Sequence, residues 1–168
     1  DKMPNVAADA NLISQLGGEI NLFLPTNKTL GYGFRFKNEV IFTEVSGGQS
    51  DAFRIPTTFL NMKAYWEGSW FNHTIPVQIG IDVHHKSAYY ANAYDPVTQQ
   101  FYLQNDEKIF KGYSYPANLF WNMRIEKVFL FIKSTHVSQP NDGGYFVTPK
   151  YPGQQRVLDF GFKWLFFD

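Results

Sequence analysis

Asp82, His84 and Lys86 alternate along one stretch of chain with His85 beside them. A carboxylate, an imidazole and an ammonium group on one side of a strand can relay protons or hold a metal ion. A metal centre needs a further ligand at a diagnostic spacing, and none follows. The plainer reading is a set of hydrated side chains on the polar side of a strand. No Gly-x-Ser-x-Gly elbow, His-Glu-x-x-His pair or phosphate loop occurs, and there is no cysteine to supply a thiolate. Gly17-Gly18 and Tyr32-Gly33-Phe34 read as strand glycines at bends or close contacts. Asn27-Lys28-Thr29 and Asn72-His73-Thr74 read as turns, and His73 and His136 as polar residues near strand ends. The expectation is no enzyme, no metal and no cofactor.

Charge sets a second bound. Lysine plus arginine equals aspartate plus glutamate at 15 each, so no net field exists to hold nucleic acid or anionic lipid. Aromatic residues make up 18% of the chain, with 17 Phe, 10 Tyr and 4 Trp, yet mean hydropathy is −0.30. Large apolar and polar side chains must therefore be interleaved, as they are at period two. Apolar runs such as Val128 to Ile132 are about five residues long, against the roughly 20 of a spanning helix. The opening residues Asp1-Lys2-Met3-Pro4 have no apolar signal region, so any export signal is expected upstream or already removed.

The interleaving is legible segment by segment. Ile75, Val77, Ile79, Ile81 and Val83 oppose Gln78, Gly80, Asp82, His84 and Lys86. Leu158, Phe160, Phe162, Trp164 and Phe166 oppose Asp159, Gly161 and Lys163. The same two-faced pattern runs through Leu12 to Leu24, Leu30 to Phe36, Leu60 to Trp70 and Ala117 to Ile125, and predicts strands near 11–24, 29–46, 54–71, 75–93, 116–125, 127–137 and 156–168. In 127–137 the shared parity of Phe129, Phe131 and Lys133 leaves the faces unassigned. Tight connections at Pro25-Thr26-Asn27-Lys28, Asn72-His73-Thr74 and around Glu126 alternate with long ones at 47–53, 94–115 and 138–155. Short turns at one end and long loops at the other is the layout of an outer-membrane barrel.

The predicted class is all-β: an antiparallel transmembrane β-barrel of about seven to eight strands, with 1–168 forming one barrel domain. Bacterial single-chain barrels have an even number of strands, so seven points to the C-terminal portion of a larger barrel. Alternatively, Gln100 to Gln104 supplies an eighth strand that closes a small complete one. On the barrel reading the lumen is lined by Arg35, Lys37, Lys63, Glu67, Asp82, Lys86, Arg124, Asp159 and Lys163, together with Asn21, Asn61, Gln78 and Asn122. A soluble lipocalin-like lipid-binding barrel also alternates, but with its apolar face inward. Apolar rows long enough to cross hydrocarbon, and Trp66, Trp70 and Trp164 toward strand ends, favour lipid.

The segments Tyr94-Asp95-Pro96 through Asn105, Tyr115-Pro116, Arg124 through Lys133, Gly144-Tyr145-Phe146, Tyr151-Pro152 and Arg156 through Asp168 carry a resemblance. Over about residues 75–168 the chain resembles the C-terminal part of the Bacteroidota porin family, whose members are longer; the earlier strands fit by pattern only. The resemblance implies an outer-membrane barrel of more strands and carries over no catalytic residues and no substrate; the lumen row, in which both charge signs occur, suggests passive diffusion of small solutes through a polar lumen. It also implies that Trp164, Phe166 and Phe167 form the aromatic C-terminal signal read by the barrel-assembly machinery, although Asp168 replaces the usual terminal aromatic. Expected partners are outer-membrane lipid, that machinery and other outer-membrane proteins, with no nucleic acid. The alternative role is a structural scaffold or subunit of a larger membrane complex.

Overall fold

The computed structural model describes residues 11–48, 52–109, 115–139 and 145–166. β-Branched and aromatic residues dominate the alternating segments and hold them extended. Seven of the strands form one antiparallel sheet: β1 (Asn11–Asn27), β2 (Tyr32–Gly47), β3 (Thr58–Trp70), β4 (Ile75–Lys86), β9 (Ala117–Ile125), β10 (Val128–Thr135) and β13 (Val157–Trp164). They lie in that order, so every connection within the sheet joins neighbours. Six short strands sit in the connections: β5 (Tyr89–Tyr90) with β8 (Lys108–Ile109), β6 (Ala93–Asp95) with β7 (Gln100–Tyr102), and β11 (Phe146–Thr148) with β12 (Tyr151–Pro152).

The turns at 28–31, 71–74 and 126–127 occupy one end of the sheet. The first begins later than the sequence suggested. Asn27 Oδ1 accepts from the backbone N–H of Thr29 (3.1 Å) and Leu30 (3.2 Å), and Gly31 takes a φ of +68°. Pro25 stays in β1, where an edge strand with a register shift tolerates its missing N–H. The second turn holds Phe71, Asn72 and His73 at positive φ, and Glu126 does the same in the third.

The opposite end carries the long connections, and the described parts of the second and third hold the six short strands. Gln104 donates to the carbonyls of Ala91 and Glu107 and accepts from the N–H of Asp106 and Glu107. Tyr94 packs edge-on against Tyr151 at 5.5 Å, which joins the β4–β9 connection to the β10–β13 connection. The expected strand 75–93 therefore ends at Lys86, and its remainder belongs to this outer layer. Gln100–Tyr102 is a strand, but it pairs with Ala93–Asp95 and not with the main sheet. It closes no small barrel. Among the described residues β1 and β13 each have a neighbour on one side only.

The register resolves the faces. Leu24, Phe34, Trp66, Ile79, Trp121, Ile132 and Phe160 are successive cross-strand partners and form one apolar row over all seven strands. Phe131 pairs with Asn122 and Gly161, so Phe129, Phe131 and Lys133 belong to the polar face, and Leu130 and Ile132 to the apolar one. Val77, in the central strand β4, is the most buried side chain at 2% exposure.

Candidate functional site

All nine charged residues expected to line a lumen fall on one face of the sheet. One row runs Phe23, Arg35, Tyr65, Gly80, Phe120, Lys133, Asp159. The next runs Asn21, Lys37, Lys63, Asp82, Asn118. Another holds Gly33, Glu67, Gln78, Asn122, Phe131 and Gly161, and beyond it Arg124 and Lys163 flank Phe129. Lys86 pairs with Phe59 at the far end of β3.

The charges are not spread evenly. Arg35 makes an ion pair with Glu67 and also covers the Phe23 ring at 4.3 Å. Lys37 and Lys63 are direct cross-strand partners, and Lys63 is in turn the partner of Asp82. The Lys63 ammonium lies 4.6 Å from the Phe120 ring centre, and the Arg124 guanidinium 5.1 Å from that of Phe129. Cations therefore lie over aromatic rings, an arrangement that keeps their charge while covering apolar surface.

A hydrogen-bond chain crosses four strands of this face. Asn61 Nδ2 donates to Glu39 Oε2 at 2.9 Å, which fixes the amide so that Oδ1 turns to His84 Nδ1 at 2.6 Å. His84 Nε2 lies 3.0 Å from Asp82 Oδ1, and Asn118 Nδ2 donates to the same oxygen at 2.9 Å. Asn118 Oδ1 then accepts from the His136 N–H at 3.0 Å. Asp82 and His84 are thus brought together; Lys86 lies further along, against the Phe59 ring at 5.8 Å. His85 points to the other face and stacks on Tyr115 at 4.4 Å. Among the described residues no three His, Cys, Asp or Glu side chains converge as metal ligands.

The aromatic residues of the polar face were hidden from sequence reasoning. Tyr65 and Phe120 are buried there, their rings 6.2 Å apart. Gly80 makes room for them: a Cβ at that position would lie 2.4 Å from Tyr65 Cβ and 2.8 Å from Phe120 Cζ. Gly161 likewise lies under the Phe131 ring, and Gly33 under Phe23. An aromatic residue facing a glycine across the ladder was the signal, and reading it requires the register.

The opposite face is apolar and open. Phe34, Ile79, Leu119 and Ile132, all on strands with neighbours on both sides, are each at least 40% exposed. All four tryptophans lie on this face. Trp70 and Trp164 stand at the turn end, as expected, whereas Trp66 lies four residues further in and folds back over Gly68. Trp121 meets Trp70 at 5.9 Å. Trp164 stacks on Phe166 at 4.8 Å, while Phe167 lies outside the described residues.

At the outer end His136 stacks on Tyr145 at 5.1 Å. Burial, reinforced by the Lys133 charge, holds His136 below the ordinary histidine value. Burial alone pushes the Tyr89 phenol above the usual tyrosine value.

A two-faced antiparallel meander whose charged residues in the main sheet, Glu44 apart, lie on one face defines an all-β protein. The profile of the family described as "Putative porin" matches residues 4–168, and the chain belongs to that family. The match takes in the first three strands as well as the last four. No curated protein and no solved structure matches the chain.

Proposed function

We propose that this chain forms part of the wall of an outer-membrane pore through which small solutes diffuse passively, with the polar face toward the lumen and the apolar face toward lipid. One observation carries the reading: on internal strands Phe34, Ile79, Leu119 and Ile132 of the apolar face are exposed, while Tyr65, Phe120 and Asn118 on the charged face are buried. A soluble lipid carrier would show the reverse. The family supports a porin-like protein of the outer membrane and a transport role in place of catalysis.

On this reading Arg35, Lys37, Lys63, Glu67, Asp82, Lys86, Arg124, Asp159 and Lys163 line the water-filled path, and rings of such charges set its ion preference. Hydrocarbon tolerates no unpaired backbone, so the outer edges of β1 and β13 pair with further strands of the complete barrel. The turns at 28–31, 71–74 and 126–127 face the periplasm, and the structured connections face outward. Trp164 and Phe166, with Phe167, then present the aromatic assembly signal.

The test is single-channel recording with the protein extracted from its native membrane and inserted into planar bilayers. Stepwise conductance that scales with salt concentration supports the pore. Stable insertion without conductance favours the scaffold role, for which Val97, Phe101 and Leu103, exposed on the β6–β7 hairpin and just after it, would be the docking residues.

A further inference from the structure

The polar face contains a concavity of about 760 Å³ close to the turn end, within the size range of small-molecule sites. Its floor is the cross-strand row Glu67, Gln78, Asn122 and Phe131, with Arg124 and Lys163 at one side. Adjacent strands lie about 4.8 Å apart, so Glu67 to Asn122 spans about 10 Å. That is a regular array of hydrogen-bonding groups beside an aromatic plane. Among the described residues neither the Gln78 nor the Asn122 amide has a hydrogen-bonding partner, and each offers both donor and acceptor. Phe131 rests over Gly161 yet remains 43% exposed.

The charges around this floor are largely engaged. Glu67 is met by Arg35; Arg124 donates from Nε to the Glu126 carbonyl at 2.9 Å and lies over Phe129. The groups left to recognise a solute are two neutral amides, a ring face and, at one side, the Lys163 ammonium, which also donates to hydroxyls. A solute that matches them presents hydroxyls, which both give and take hydrogen bonds, and a flat C–H surface to lie on the ring.

We propose that this concavity binds a neutral saccharide, with hydroxyls on Gln78 and Asn122 and a sugar face on Phe131. The proposal rests on the pore reading for the route by which the sugar arrives. Bound there, a sugar occupies the path transiently and interrupts ion flow.

The experiment is planar-bilayer recording of the full-length protein with maltotriose as probe, and polyethylene glycol of matching hydrodynamic radius as control. Maltotriose is expected to produce saturable interruptions that the glycol does not. The double substitution Gln78→Ala/Asn122→Ala is expected to raise the half-blocking concentration about tenfold, the loss of roughly two hydrogen bonds. Phe131→Leu, which keeps the apolar volume over Gly161, is expected to raise it as well, and heat-modifiable gel migration checks that each variant has folded. Equal, unsaturable current reduction by both probes would overturn the saccharide site while leaving the pore intact. If no conductance is found, equilibrium dialysis of labelled maltotriose against the detergent-solubilised protein reads the site alone. Binding weakened by the same substitutions then supports it, and absence of binding overturns it.

Discussion

A methyl group at Gly80 would lie 2.5 Å from the Ala64 carbonyl oxygen as well as against Tyr65 and Phe120, so backbone as well as side chains must yield. Gly80→Ala is expected to cost about 1–3 kcal/mol, read as a lower urea midpoint for the protein refolded into vesicles. Gly18, with nothing within 4 Å of a built Cβ, is the control and should tolerate alanine. Charge on the same face has a different readout. Removing Lys37 and Lys63 together, as Lys37→Gln/Lys63→Gln, deletes the paired ammonium groups of one row. The reversal potential in a salt gradient should then shift toward cation selectivity by several millivolts or more, on the order of a fractional change in permeability ratio. An unchanged potential would place these lysines away from the ion path. His136 gives a pH prediction. The folded protein favours its neutral ring, so the unfolded chain binds more protons on acidification. The contribution to stability is present above the ordinary value of 6.5 and is lost as pH falls from there through the lowered folded value. Segment 145–156 should lose hydrogen-exchange protection as pH falls below 6.5, and His136→Phe should flatten that dependence.

Strands are the scale at which the sequence was most legible. Period-two alternation located all seven members of the sheet, because one-sided burial forces each strand to keep its parity. It also put Arg35, Glu67, Asp82, Arg124 and Lys163 on a common face before any register was known. Strand ends were less legible. Asn27 delays the first turn through a side-chain bond that composition does not reveal, and the stretch after Lys86 alternates well enough to pass for more of β4 while belonging to the outer layer. Strand β10 resisted assignment because Phe129 and Phe131 lie on the polar face, under cover of Arg124 and over Gly161, respectively. The Glu39–Asn61–His84–Asp82–Asn118 chain was illegible for a related reason: its members lie on four strands, and only their relative register makes them neighbours. The faces predict opposite responses to one substitution. Ile79→Lys places an ammonium group in lipid and should cost about 2–4 kcal/mol near the bilayer midplane, whereas Gln78→Lys, one residue earlier and on the polar face, should cost far less. Urea titration of both variants in vesicles measures the difference.

At the level of the whole molecule, the sheet is one wall with two different surroundings. Its edge strands β1 and β13 are largely exposed, and on the pore reading both edges must be paired before the wall closes. Trp70 and Trp164 stand at the turn end of the apolar face, where a membrane interface favours amphipathic rings, while Trp66 and Trp121 share the row of Ile79 further in. The central claim is that this face meets lipid and the opposite face meets water. The sequence contains no cysteine, so single cysteines at 78, 79, 81, 82 and 83 can carry spin labels without background from this chain. The most direct measurement is the accessibility of those labels to oxygen, which partitions into hydrocarbon, and to a water-soluble nickel chelate, with the protein in lipid bilayers. Oxygen should be favoured at positions 79, 81 and 83 and the chelate at 78 and 82. Labels at 79, 81 and 83 shielded from lipid oxygen, with the polar positions no more open to the chelate, would contradict the account.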